Sequence, residues 1–292
     1  MSVSPASSSS GPTPPATPPS SPPTRPARPT IAELRAVCQP PAIRGRRTAE
    51  HWVGDLYQRQ ISPYVTRVLV RLGLSANAVT WLMIVTGWSS ALVLLIPGPA
   101  GGLLCPVLTQ LQMLWDASDG EVARWRSTSS PFGVFLDKVG HYTTESLIPL
   151  MLGVRAAGGV GALLDGGPAD AYRWTTLGAL LALVIVLNKA LNDMVHVARA
   201  SAGLERLTDD ASTAAPRPGL VATARRLARF LPFHRLYHSI ELSLLILLAT
   251  LGDLVAGSGV VTRWLLVGLV VAATLSLVGH FLVIASSRKL RA

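Results

Sequence analysis

Six long apolar runs, at about residues 78–96, 101–123, 133–154, 175–197, 240–256 and 260–285, dominate this sequence. The longer ones reach the ~20 residues that a helix needs to cross a ~30 Å hydrocarbon layer, and the shortest sits near the lower limit of ~17. Lipid offers no water to satisfy backbone N–H and C=O groups, so such runs must be helical. The expected fold class is therefore all-α: a polytopic membrane protein with six transmembrane helices. Composition agrees, because only 14% of the residues are charged, against about 25% in soluble domains. An ordinary soluble enzyme is excluded.

The net charge of +10 would by itself admit a nucleic-acid partner, but the placement of the basic residues gives another reason for it. Arg44, Arg46, Arg47, Arg59, Arg67 and Arg71 precede the first run, and Arg124 and Arg126 lie between the second and third. Arg199, Arg206, Arg217, Arg225, Arg226, Arg229 and Arg235 lie between the fourth and fifth, and Arg288, Lys289 and Arg291 follow the sixth. With six spans all of these fall on one face, while the other holds Arg155, Arg173 and Arg263. The positive-inside rule then puts both termini, and the junction between spans two and three, on the cytoplasmic side of the cell (inner) membrane. The remaining arginines suit anionic headgroups. Membrane lipids are expected partners; nucleic acid is not.

Four regions follow. Residues 1–43 are Pro- and Ser-rich and too poor in apolar residues to offset ordering entropy, so a disordered cytoplasmic tail is expected. No continuous apolar stretch there reads as a signal peptide. Residues 44–74 form a juxtamembrane region in which Val65, Val68, Leu69 and Leu72 share a helical face opposite Arg67 and Arg71, as in an amphipathic helix lying in the membrane interface. Residues 75–287 hold the six spans, and 288–292 are a basic tail. Cys38 and Cys105 lie far apart and form neither a disulfide framework nor a metal-ligand pair.

Chemistry concentrates at the junction of spans two and three. On a helix with Asp116 at zero, Asp119 falls at about 300°, Ala123 at about 340° and Gly120 at about 40°. Two carboxylates and two small residues thus share a narrow face. On the next helix Gly133, Asp137, His141 and Thr144 share a face in the same way, so both helices can address one cavity. Several ionisable groups at a bilayer edge mark a functional site. Facing carboxylates need cations, and Mg²⁺ or Mn²⁺ prefer such oxygen-rich ligation; two ions together clamp a phosphoryl group undergoing displacement. A helix-end network pairing these carboxylates with Arg124, Arg126 and Lys138 is the structural alternative.

At these residues the chain resembles the CDP-alcohol phosphatidyltransferase family, whose signature is D-x2-D-G-x2-A-R-x8-G-x3-D-x3-D. Asp116, Asp119, Gly120, Ala123, Arg124, Gly133 and Asp137 match it in order and spacing. His141 stands where the family has its last Asp. The resemblance implies transfer of a substituted phosphate from a CDP-linked lipid, most often CDP-diacylglycerol, to a small alcohol acceptor with release of CMP. It implies Asp116, Asp119 and Asp137 as ligands of two metal ions, with Gly120, Ala123, Arg124 and Gly133 around the nucleotide. It also implies a homodimer. His141 is expected to serve as the base, since neutral imidazole can accept the acceptor's proton. Glu145, one turn on, is expected to support the metal or the base.

Further along, Asn188, Lys189 and Asn192, with Arg235, are candidates for the acceptor site; the alternative is a local Lys189–Asp193 pair. His234, His238 and Glu241 have metal-like spacing but read better as solvated interfacial groups. Two other function classes compete: an inactive scaffold of the same fold, and an ion-coupled transporter. The latter is disfavoured because the sequence has one polar cluster and no second copy of it.

Overall fold

The computed structural model describes residues 25–40, 57–165, 170–205 and 238–286. Among them all regular structure is helical: α1 (Ile31–Cys38), α2 (Arg59–Arg71), α3 (Ala76–Leu92, continued by a 3₁₀ turn Val93–Leu95), α4 (Pro99–Arg126), α5 (Pro131–Ala156), the single turn α6 (Gly161–Leu164), α7 (Ala171–Ser201), α8 (Ser239–Ala256) and α9 (Val260–Ser286). The boundaries follow local chemistry. Ser75 and Ser130 cap α3 and α5 by accepting from the backbone amides of Ala78 and Gly133. Pro99 and Pro131 occupy first helical turns, where no intrahelical donor is lost. Gly98 and Gly257 take left-handed φ of 71° and 63° at the tight turns between α3 and α4 and between α8 and α9.

Six of these helices form the bundle. α3 packs on α4 and α5, α5 on α7, α8 on α4 and α9, and α9 on α7. Leu94, Ile148, Leu152, Leu181, Ile185, Leu242, Ile246 and Leu266 fill the core between them. The outside is apolar as well: Trp81, Val85, Leu183, Leu187, Leu248, Val271, Leu275, Val278 and Phe281 are exposed, which water would penalise and lipid accommodates. By length and composition the 3₁₀-extended α3, α7, α8 and α9 can cross a membrane. α4 and α5 have the length, at 28 and 26 residues, but carry the carboxylates of the site and fall short on apolar composition.

Glycine sets the α5–α7 distance. A Cβ on Gly178 would sit 2.7 Å from the Gly153 Cα and the Pro149 carbonyl, backbone atoms that cannot yield. These small residues are thus used within the chain. Gly178→Val is expected to separate the helices and destabilise the bundle by about 1–3 kcal/mol, as overpacking does; thermal unfolding in detergent measures it.

One expectation for the N-terminal region is corrected. Part of the segment expected to be disordered, residues 31–38, is helix α1. Thr30 and Glu33 form a reciprocal capping box, and the Thr30 amide holds the Glu33 carboxyl below the usual range. Leu34 and Cys38 are completely buried against Leu69, Val70, Val122 and Trp125. Helix α2 exists; of its expected apolar face Val68 and Leu72 are exposed, while Leu69 is buried with Val65 packed beside it. Ser62, Thr66 and Leu69 point inward, whereas Ile61, Tyr64, Val68 and Leu72 are exposed. The reason is Glu121 of α4, fully buried, whose carboxylate accepts from Ser62 Oγ at 2.6 Å, Thr66 Oγ1 at 2.7 Å and Gln39 Nε2 at 2.8 Å. A buried carboxylate demands donors, so the hydroxyl-bearing stripe of α2 turns toward it.

Candidate active site

The C-terminal half of α4 and the N-terminal half of α5 are joined by a short turn. Ser127 there adopts a left-handed conformation, and Thr128 N donates back to Ala123 O at 3.0 Å. This brings the two polar faces together. Asp116, Asp119, Gly120, Ala123 and Arg124 from α4, Gly133 and Asp137 from α5, and Asn77 and Thr80 from α3 line one cavity of about 290 Å³. Small residues make the room: a Cβ on Gly133 would sit 3.2 Å from Asn77 Oδ1, and one on Gly120 3.1 Å from Arg124 Nη1.

Beside Asp116 and Asp137, His141 bridges the two helices. Its Nε2 lies 3.0 Å from Asp116 Oδ1 and 3.5 Å from Asp137 Oδ1, and its Nδ1 lies 3.7 Å from Glu145 Oε1. Ligand atoms of Asp116, Asp137 and His141 fall within 4.8 Å of one another. Such a set fits a divalent cation, with carboxylates to neutralise it and glycines to admit it. Asp119 is on the same wall but outside this group, its Oδ2 accepting from Thr80 Oγ1 at 2.7 Å.

The alternative helix-end salt-bridge network does not form among the described residues. Arg124 Nε donates to Cys38 O at 2.8 Å, and Arg126 donates to the carbonyls of Gly73 and Val70. Lys138 pairs with Asp193 at 2.7 Å. None of these cations neutralises Asp116, Asp119 or Asp137 by direct contact.

Behind His141 is a polar cluster that crosses to α7 and α8. Glu145, nearly buried, meets Lys189 Nζ at 2.8 Å and His238 Nδ1 at 3.6 Å. The ammonium also lies over the Tyr142 ring at 5.6 Å, and Tyr142 OH donates to Asp193 at 2.9 Å. The local Lys189–Asp193 pair is therefore replaced by two longer-range pairs. Of the acceptor candidates, Lys189 reaches the site region. Asn188 instead faces His280 of α9, 2.8 Å from its Nδ1, and Asn192 is exposed. Arg235 and His234 lie outside the described residues. His238 and Glu241 are not solvated interfacial groups: His238 contacts Glu145, and Glu241 is buried.

Sequence reading missed Thr80, Asn77 and Glu121. Thr80 and Asn77 sit on α3, whose amphipathic signal is weak, so its polar face was hard to see. Ser62 and Thr66, one helical turn apart, were the available hint for Glu121.

Lys189→Met is expected to destabilise the protein by about 3–5 kcal/mol, because it leaves the buried Glu145 carboxylate without its main counter-charge. Adding Glu145→Gln should recover most of that loss. Thermal unfolding of both variants in detergent checks this.

Residues 73–204 match the CDP-alcohol phosphatidyltransferase family. Members of that family are transferases for substituted phosphate groups acting on CDP-alcohols. The matched segment runs from the turn after α2 to just past the end of α7, and so contains the whole cavity wall contributed by α3, α4 and α5. Comparison with curated proteins gave no match.

Proposed function

We propose that the protein transfers a substituted phosphate from CDP-diacylglycerol to a small alcohol, releasing CMP, at the cytoplasmic edge of the membrane. The observation that carries this reading is the convergence of Asp116, Asp119 and Asp137 on one glycine-walled cavity, with His141 in contact with two of them, within the family-matched segment. Six spans with both termini cytoplasmic are proposed from the six helices and the arginine distribution. The exposed apolar stripe of α2 supports its lying in the interface.

Asp116, Asp119 and Asp137 would hold Mg²⁺ or Mn²⁺, two ions being proposed, which supply positive charge to the donor's pyrophosphate. These hard cations favour oxygen ligands, so the carboxylates are their proposed main ligands, and the imidazole of His141, although its nitrogen lies within the same cluster, is assigned to proton transfer. Arg124, lying over Gly120 on the cavity wall, makes a charge-assisted bond to a nucleotide phosphate. The imidazole of His141, released from Asp116 Oδ1 once that carboxylate holds a cation, takes the proton of the acceptor hydroxyl as its oxygen attacks the lipid-bearing phosphorus. The bond from that phosphorus to the bridging oxygen breaks, and CMP leaves with the electron pair. The carboxylates of Asp116 and Glu145 beside the ring stabilise the imidazolium formed. Lys189 flanks the acceptor side through its hold on Glu145.

The test is CMP release from CDP-diacylglycerol by purified protein across a panel of alcohols. Release that depends on Mg²⁺ or Mn²⁺ and stops on chelation is expected. No release with any alcohol would support the inactive scaffold instead.

A further inference from the structure

The N-terminal segment, residues 25–39, lies outside the family-matched residues, yet it is bonded at several points to the last turns of α4. Arg25 donates to the carbonyls of Arg124 and Trp125, the latter at 2.7 Å, and its guanidinium stacks over the Trp125 ring at 5.6 Å. These are last-turn carbonyls, where intrahelical donors run out, Arg124 O having a long 3.4 Å bond from Ser127 N, and a cation there also complements the helix dipole. Cys38 Sγ donates to Glu121 O at 3.3 Å. Burial pushes its thiol up to about 11, so it stays protonated and keeps that bond. Gln39 donates to the buried Glu121 carboxylate. Most directly, the Cys38 carbonyl accepts from Arg124 Nε, and Nη1 and Nη2 then lie over Gly120, at 3.1 and 3.4 Å from where a Cβ would stand.

An arginine side chain has several rotatable bonds and loses much freedom when it is held. Fixing Nε from outside the cavity while its terminal nitrogens lie along the cavity wall is an arrangement that pre-orients a guanidinium toward an anion. We propose that residues 25–39 form a strap that positions Arg124 for the donor's phosphates, making this segment a working part of the donor site; the proposal rests on the function proposed above. Arg25, Leu34 and Cys38 are on this account positioning residues that act through Arg124. Leu34, completely buried, anchors the strap.

The test is a double-mutant cycle in the full-length protein. Leu34→Asp, which undocks α1, is expected to raise the donor KM roughly tenfold, the scale of one charge-assisted hydrogen bond, and to leave the acceptor KM unchanged. In an Arg124→Gln background the same change should alter the donor KM less than about twofold. Should Leu34→Asp fail to fold, Arg25→Gln, at a half-buried position, serves in the same cycle with an expected rise of about threefold. Effects that multiply in the double variant, or an equal change in both KM values, would overturn the strap. If the wild type released no CMP, the proposed function would fall, and the strap would be judged on CMP binding by calorimetry. Binding roughly tenfold weaker in Leu34→Asp would support it, and unchanged binding would overturn it.

Discussion

Asp119→Ala lowers CMP release by about 10³-fold or more and leaves the melting temperature unchanged or raised. The activity side follows from charge. A carboxylate that helps place cations on the donor's pyrophosphate contributes several kcal/mol to the transition state, and each 1.36 kcal/mol is tenfold in rate. The stability side follows from the neighbours. Asp119 is nearly buried on a wall it shares with Asp116 and Asp137, so its removal relieves repulsion between like charges. Its partner is not orphaned, because the single proton of Thr80 Oγ1 can turn to Ala76 O, 3.1 Å away. A residue kept solely to hold the fold would show the opposite pattern, with melting temperature and activity falling together. Initial rates of CMP release and thermal unfolding of the same preparation measure both.

His141→Ala slows transfer by about 10²–10⁴-fold, the usual contribution of a positioned acid or base, whereas His141→Asp stays within roughly tenfold of wild type. The ring touches three carboxylates, Asp116 at 3.0 Å, Asp137 at 3.5 Å and Glu145 at 3.7 Å. Alanine removes both the proton acceptor and the positive partner those groups can share. Aspartate restores the residue that the family signature carries at this place, which accepts a proton and ligates metal, so the chemistry has a route that needs no imidazole. Steady-state rates for the two variants at matched expression separate the assignments. Full activity in His141→Ala would show that the proton goes elsewhere. An inactive His141→Asp would show that the surroundings, Lys189 and Glu145 included, are built for an imidazole alone.

These expectations depend on parts of the molecule that differ in how far the sequence exposes them. Each of the six apolar runs falls within one helix of the bundle, give or take a few residues, because apolar length and proline or glycine at the turns act locally. The shared faces of α4 and α5 were legible for the same reason: helical periodicity alone puts Asp116 beside Asp119 and Gly133 beside Asp137. Periodicity names the residues on a face but not the partner that covers it. The apolar stripe of α2 could be read from its spacing, but not that the buried carboxylate of Glu121 would turn Ser62 and Thr66 toward the protein. Lys189 stands one turn before Asp193, but its ammonium goes to Glu145 on another helix, where burial makes a counter-charge more valuable than at an exposed position. Helix α1 escaped notice because its apolar residues, Ile31, Leu34, Val37 and Cys38, follow a long Pro/Ser-rich stretch. Its capping box, Thr30 with Glu33, was the local signal.

The most direct measurement is mass detection of the lipid product alongside CMP when purified protein is given CDP-diacylglycerol, Mn²⁺ or Mg²⁺ and a panel of alcohols. The account predicts CMP and a phosphatidyl ester of one alcohol in equal amounts, both lost in Asp119→Ala. CMP accompanied by phosphatidic acid alone would mean hydrolysis in place of transfer, and no CMP from any mixture would contradict an active transferase.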